Sequence, residues 1–181
     1  MSGTRLTILE YPDPRLKTRA QPVAAVDDGL RRLMDDMLAT LRATQSLGLA
    51  ATQVDVHLRV VVIDQRRCEG AGEPTGAEGE EGALVLVNPE ILSRELPGMS
   101  EEQCLSVPGI AAAVPRSLRV RVRAQGRDGA PFELDAEGLL AVCIQHEVEH
   151  LDGTLFIDHL SWFKRLRVRR ALRARAATAS A

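Results

Sequence analysis

The sequence of 181 residues contains only three cysteines and no long run of apolar residues. Cys68, Cys104 and Cys143 are too few and too widely separated for a disulfide framework, so we expect them to be core residues or ligands. The longest aliphatic runs, such as residues 60–63, are far shorter than the roughly 20 residues that cross a bilayer. The N-terminus carries no signal-like apolar stretch. These absences predict a cytoplasmic protein rather than a secreted or membrane protein.

The chain has a globular composition with an uneven distribution of charge. Hydrophobic residues make up 45% and charged residues 27%, and the length is typical of one domain, which we place at residues 1–181. The net charge is −2, yet residues 164–175 include seven basic residues and no acidic one. This leaves 16 basic against 25 acidic residues elsewhere. The basic segment is therefore the part of the chain suited to an anionic surface.

Three segments have the pattern of helices. Leucine and methionine recur at helical spacing over residues 30–41, and Asp27 or Asp28 can cap the start of this helix. Residues 138–151 predict a second helix. A third helix is expected to begin after Ser161 and to carry the basic segment.

Four short segments have the pattern of strands. They are residues 59–64, 84–87, 118–124 and 132–134. We expect Asn88-Pro89 to end the second strand and Asp128-Gly129 to form a hairpin turn before the fourth. Because the strands cluster without strand–helix–strand alternation, we predict an α+β fold with antiparallel sheets packed around a central helix. Residues 66–82, rich in glutamate and glycine, predict a solvated loop.

The strongest functional signal is the run His146-Glu147-Val148-Glu149-His150. Two histidines four residues apart lie on one side of a helix, so both imidazoles can reach one metal ion. Glu147 lies beside them, where it can hold a water molecule and accept its proton. The alternative is a pair of histidines on an exposed helix surface. The apolar residues around the run disfavour it, because they predict a buried helix.

A third protein ligand must come from elsewhere in the chain. A metallopeptidase of the thermolysin type would use a downstream glutamate, but no glutamate follows Glu149. Cys143 lies three residues before His146, too far along the helix axis for its short side chain to reach the metal. Cys68 lies at the start of the expected loop, which is a poor platform for a ligand. Cys104 lies in a compact segment between strands and is the best candidate.

Together these segments resemble the peptide deformylase family. The resemblance rests on three motifs in the family's order, namely residues 48–53 (Gly-Leu-Ala-Ala-Thr-Gln), 102–106 (Glu-Gln-Cys-Leu-Ser) and 145–151 (Gln-His-Glu-Val-Glu-His-Leu). It implies a hydrolase that removes the formyl group from the N-terminal formyl-methionine of newly made proteins. Cys104, His146 and His150 would bind the metal, which we expect to be Fe²⁺, with Zn²⁺ or Ni²⁺ as substitutes.

The resemblance also implies roles for individual residues. Glu147 would act as general base and then deliver the proton to the departing amine. The side-chain amide of Gln53 and the backbone N–H of Leu105 would stabilise the oxyanion. Glu149 would orient Arg116 behind the metal ligands. The wall of the methionine pocket would consist of Leu47, Gly48, Leu139, Val142, Cys143 and His146, although these residues suit a plain core equally well.

Three residues depart from the family pattern. The family usually has glycine at the positions of Ser46 and Gln103, and aspartate at the position of Glu149. None of these changes removes a ligand or the general base, so they bear on substrate fit and rate. Two alternatives stay open: a zinc peptidase, which leaves Cys104 and Gln53 unexplained, and a non-catalytic relative that binds formyl peptides or only a metal.

The basic helix points to a macromolecular partner. Bacterial members of the family resemble this chain in ending with a helix that docks near the ribosomal peptide exit, and we expect the same here, with neither membrane nor DNA as partner. Arginine outnumbers lysine, which suits bidentate contact with phosphate. We expect Trp162, Phe163 and Leu166 to anchor the start of the helix and to leave its far end free for RNA. The alternative is a solvated helix face.

Overall fold

A computed structural model describes residues 3–68, 78–79 and 82–179. The three α-helices of this part of the chain are α1 (Asp28–Thr44), α2 (Gly138–Leu151) and α3 (Trp162–Ala179). Short 3₁₀ turns lie at Pro14–Lys17, Ala51–Val54, Gln65–Arg67 and Phe156–His159. Most of the loop predicted at 66–82 lies outside the described residues.

The described strands form one antiparallel sheet. They are β1 (Gly48–Ala50), β2 (Val60–Asp64), β3 (Glu78–Gly79), β4 (Ala83–Cys104), β5 (Val107–Gln125) and β6 (Pro131–Glu137). The spatial order is β1-β2-β4-β5-β6, and β3 also pairs with β4. The predicted α+β class and antiparallel pairing are confirmed. The expectation of several sheets is wrong, because the long strands β4 and β5 join all the others into one.

The strand predicted over 84–87 does not end at Asn88-Pro89. It continues as β4, and Asn88 adopts a φ of 52° at a shift of register between Val87 and Glu90. The Asn88 side chain accepts a hydrogen bond from the N–H of Val23 (2.8 Å) and donates one to its carbonyl (2.9 Å). A strand tolerates proline at such a bulge, where no ladder hydrogen bond is lost. Pairing of the residues beyond Asn88 with β5 therefore extends the strand past a local sequence that is typical of a turn.

Helix α1 covers one face of the sheet. Its N-cap is Asp27, whose carboxylate accepts a hydrogen bond from the N–H of Leu30 at 2.8 Å. Its buried apolar side chains are Leu30, Met34, Met37, Leu38 and Leu41. They belong to one cluster with Val60 and Val62 of β2. The predicted amphipathic helix and its cap are confirmed.

Helix α2 covers the opposite face. It belongs to a second cluster with Val61 and Ile63, whose side chains alternate with those that face α1. The helix spans the predicted residues 138–151, with Asp152 as its C-cap, followed by Gly153 with a φ of 73°. Since nearly all of its residues from Leu140 to Leu151 are buried, α2 is the buried platform on which the candidate site is built.

Helix α3 is anchored half-way along its length rather than at its start. Trp162 and Phe163, predicted as anchors, are 61% and 73% exposed. Leu172 is buried, and Val168 packs against the same cluster, which includes Val107 of β5. Helical spacing explains this anchoring, because Val168 and Leu172 lie four residues apart and therefore on one face of α3. None of the described helices is long and apolar enough to cross a membrane.

Candidate metal centre

Helix α2 carries two histidines and a glutamate into the interior of the protein. His146, Glu147 and His150 are 9%, 4% and 1% exposed. The Nε2 atoms of the two histidines lie 3.2 Å apart. The hydroxyl of Thr52 donates a hydrogen bond to the carbonyl of His150 at 3.1 Å, which ties the end of α2 to the 3₁₀ turn Ala51–Val54. The predicted one-turn spacing therefore brings both imidazoles together.

Cys104 comes from the sheet and lies beside both histidines. It is the last residue of β4 and pairs with Val107 across the two-residue turn of the β4–β5 hairpin. Its Sγ lies 3.1 Å from Nε2 of His150, and the ligand atoms of the three residues all lie within 4.8 Å of one another. Cys143 lines the neighbouring cleft and Cys68 is buried elsewhere, so neither belongs to this group.

The three donors fit a divalent metal ion. Metal–ligand bonds of about 2.0 to 2.3 Å keep tetrahedral ligand atoms roughly 3 to 4 Å apart. This agrees with the distances of 3.1 Å and 3.2 Å from Nε2 of His150 to the sulfur of Cys104 and to Nε2 of His146. Burial lowers the pKa of His150, which keeps its ring neutral and able to coordinate. Burial also disfavours a charge on His146, but hydrogen bonds to Cys104 and Glu102 raise its pKa well above the usual range. The cluster thus favours a positive charge at its centre.

A network of buried charges lies behind His146. Its Nδ1 lies 2.8 Å from Oε2 of Glu102, so the ring donates there and turns Nε2 towards Cys104. Arg116 donates to Glu102 at 2.6 and 3.0 Å and to Glu149 at 2.5 and 2.9 Å. Burial raises the pKa of Glu102, but hydrogen bonds from His146 and Arg116 outweigh burial and hold it below its usual range. Glu102 is therefore an ionised acceptor.

Gln53 is held with its amide nitrogen towards the cluster. The side chain is buried, and its Oε1 accepts a hydrogen bond from the N–H of Ala50 at 2.9 Å. Its Nε2 donates to the hydroxyl of Ser106 at 3.1 Å and lies 3.6 Å from the sulfur of Cys104. Because the oxygen is engaged by the backbone, the N–H groups are the part of the amide that faces the candidate metal.

Glu147 occupies space that Gly48 leaves free. A Cβ atom on Gly48 would lie 2.6 Å from Oε1 of Glu147 and 2.9 Å from the sulfur of Cys143. Oε2 of Glu147 is buried and has no hydrogen-bond partner among the described residues. Burial raises the pKa of Glu147 to about 7, while the charge of His146 lowers it. A carboxyl group in this state can accept and return a proton near neutral pH.

Comparison with known proteins identifies the family. The polypeptide deformylase family model matches residues 5–166. The chain belongs to the peptide deformylase family. It is 56% identical to the peptide deformylase of Alkalilimnicola ehrlichii over 92% of this chain and 88% of that one. It is 55% identical to that of Azotobacter vinelandii, with 92% and 94% covered. The crystal structure of the Legionella pneumophila peptide deformylase superposes with a TM-score of 0.85 at 41% identity, covering 98% of both chains.

Family membership gives the reaction. Peptide deformylases are metalloenzymes, and as one of them the chain is a hydrolase that removes the N-terminal formyl group from newly made peptides. This confirms the function predicted from the three motifs. It also argues against the peptidase alternative, which left Cys104 and Gln53 unexplained.

The residues predicted as the deformylase substrate pocket line one cleft of about 720 Å³. They are Leu47, Gly48, Leu139, Val142, Cys143 and His146. Gln53, Leu105 and Glu147 line the same cleft, so the predicted catalytic groups and the apolar wall share one space. Every predicted site residue except Arg116, Glu149 and the deeper His150 lies at its surface.

The three departures from the deformylase pattern fall at different places. Gln103 is exposed and lines the cleft, as expected for a side chain beside Cys104. Ser46 also lines it, but the left-handed residue of this turn is Gln45, with a φ of 56°, so Ser46 is not strained by a positive φ. Glu149 reaches Arg116 despite its extra methylene group.

Two contacts of this deformylase centre were not anticipated from the sequence. Ser106 holds the amide of Gln53, and the ring of Phe156 stacks on His146 with centroids 6.0 Å apart. A serine and a phenylalanine of these segments carry no signal that separates them from ordinary loop and core residues. Only the folded arrangement of the β4–β5 hairpin and the turn Phe156–His159 reveals them.

Proposed function

We propose that deformylation takes place at a divalent metal ion held by Cys104, His146 and His150. The observation that carries this proposal is the convergence of one sulfur and two ring nitrogens beside Glu147, at the floor of the cleft. The ion would supply Lewis acidity, lowering the pKa of a water molecule and polarising the formyl carbonyl group. Glu102 supports binding because it fixes the tautomer of His146.

Glu147 is the proposed general base. Its unpartnered Oε2 accepts the proton of the attacking water molecule and then delivers it to the amine that leaves. The Nε2 group of Gln53 and the backbone N–H of Leu105 donate hydrogen bonds to the oxygen that becomes negatively charged. Gln53 suits this role because its orientation is fixed by Ala50 and Ser106 before substrate arrives.

The methionine side chain occupies the apolar wall of the cleft. Leu139 and Val142 come from the first turns of α2, about two turns and one turn before His146, so the wall and the metal share one helix. Leu47 and Gly48 form the facing side at the start of β1. This arrangement supports binding of an extended formyl-methionine peptide with its formyl group over the metal.

The metal in cells is proposed to be Fe²⁺, with Zn²⁺ or Ni²⁺ as substitutes. One thiolate and two imidazoles can bind all three ions, so the set of ligands does not select among them. Elemental analysis of protein prepared without oxygen from iron-replete cells is expected to find iron in excess of zinc. A preparation that holds zinc alone under those conditions would contradict this assignment.

The decisive test of the reaction is turnover of formyl-Met-Ala by the metal-loaded protein. We expect stoichiometric release of formate and of Met-Ala with a free amino group. Cleavage between the two residues would support the peptidase alternative. Binding without turnover would support the non-catalytic relative.

The proposed partner in the cytoplasm is the ribosome, bound through the basic helix α3. The exposed faces of Arg167, Arg169 and Arg170 support contact with phosphate groups, while Leu172 holds the helix on the body. Replacing these three arginines with glutamine is expected to abolish co-sedimentation with ribosomes at low salt and to leave peptide turnover unchanged. Wild-type co-sedimentation should weaken steeply as salt rises. Equal co-sedimentation of both proteins would indicate that α3 is a solvated helix without this partner.

A further inference from the structure

The 3₁₀ turn Phe156–His159 touches the metal-binding helix at two places. Phe156 is 1% exposed, and its ring stacks on that of His146 with an interplanar angle of 29°. At the other end of the turn, Nε2 of His159 lies 2.8 Å from Oε1 of Glu149. A buried aromatic ring therefore fixes the turn at the point from which His159 reaches α2.

A continuous series of hydrogen bonds leads from His159 to the metal-binding ring. His159 bonds Glu149, Glu149 accepts from both terminal nitrogens of Arg116, Arg116 donates to Glu102, and Glu102 accepts from Nδ1 of His146. Every one of these distances lies between 2.5 and 3.0 Å. Side-chain exposure falls along the series from 30% at His159 and 24% at Glu149 to 2% at Arg116.

Glu149, the outer carboxylate of this series, needs a second hydrogen-bond partner besides Arg116 to stay in place. Arg116 is one cation shared by two carboxylates, and Glu149 is the one that water can reach. Without another donor, Glu149 can turn towards solvent and leave Arg116 attached to Glu102 alone. His159 removes this freedom because it bonds the same oxygen that accepts from Arg116.

We propose that His159 is a positioning residue of the metal centre. By holding Glu149, it keeps Arg116 and Glu102 in the arrangement that directs Nε2 of His146 towards the metal. This inference rests on the metal site proposed above. Since His159 is neither a ligand nor a lining residue of the cleft, its effect is expected in metal retention and not in the KM for peptides.

The test is the rate at which a chromophoric chelator removes Zn²⁺ from the intact zinc-loaded protein. In His159→Leu we expect removal about three to ten times faster, below the 10- to 100-fold typical of groups that bond a ligand directly. His159→Gln, whose amide can still donate to Glu149, is expected to restore slow removal. The matched control is His57→Leu, because Nε2 of His57 contacts the carbonyl of Arg15 and His57 lies outside the series.

The outcomes separate the inference from the site on which it rests. A wild-type rate in His159→Leu, or equal acceleration in His57→Leu, overturns the inference. A lowered unfolding temperature of metal-free His159→Leu would also overturn it, by assigning the effect to general destabilisation. In a Glu149→Gln background, His159→Leu should add no acceleration, and an undiminished effect contradicts the proposed route. If Cys104→Ser retains zinc as wild type does, the metal site itself is wrong.

Discussion

Replacement of Gly48 by alanine should displace the general base without removing the metal. The new Cβ would lie 2.6 Å from Oε1 of Glu147, whereas ordinary contact begins at 3.4 Å, so the carboxylate must retreat by roughly 0.8 Å. Misplacement of a reacting group by about 1 Å can lower a rate about 100-fold, or roughly 2.7 kcal/mol of transition-state stabilisation. We therefore expect kcat for formyl-Met-Ala to fall about 30- to 100-fold at unchanged metal content.

The assay is formate release, with the metal content of the same samples measured in parallel. The matched control is Gly29→Ala in the first turn of α1, where the nearest atom to a new Cβ is the end of the Asp27 side chain at 3.2 Å. The control should keep wild-type turnover. A kcat of Gly48→Ala within threefold of the wild-type value would contradict this displacement of Glu147. Loss of metal from the variant would also contradict it, because the strain would then act through His146.

Three further predictions concern the metal ligand, the cleft and the cap of α1. Cys104→Ser should weaken metal retention, because a hydroxyl is a poor substitute for a thiolate ligand, while Cys143→Ser and Cys68→Ser should keep their full metal content. Elemental analysis of the three variants measures this, and loss of metal in Cys143→Ser alone would overturn the choice of Cys104 as ligand. Gln103→Gly should alter the KM for formyl-Met peptides at constant metal content, and unchanged kinetics would make this departure neutral. Asp27→Ala should lower the free energy of unfolding by about 1 kcal/mol in urea titration, and an unchanged midpoint would show that the cap contributes nothing.

The local spacing of residues was sufficient to predict the centre of the site. The one-turn separation of His146 and His150 depends only on helical geometry, and the boundaries of α2 followed from its apolar composition. Cys104 could be identified as the third candidate ligand because the side chain of Cys143 is too short to reach the metal and Cys68 lies in the expected loop. These inferences need no knowledge of which elements pack together, and for that reason they agree with the structure.

The features that were missed depend on contacts between distant segments. Gly48 is predicted as part of the pocket wall, but the structure shows that it also makes room for Glu147 and Cys143. The bulge at Asn88 was interpreted as a strand end, because the pairing partner of residues beyond it is far away in sequence. The contact of His159 with Glu149 joins two polar residues ten positions apart, and no periodicity indicates it.

In the proposed mechanism, Glu147 transfers the proton at a metal held by three other residues. The most direct measurement is formate release from formyl-Met-Ala by Glu147→Gln, with the metal content of the same sample determined. We expect a full complement of metal and a loss of kcat of about 100-fold or more, the range attributed to general acid–base catalysis. Near-normal formate release by the metal-loaded variant would contradict this role of Glu147, and so would loss of the metal, since Glu147 would then be a ligand.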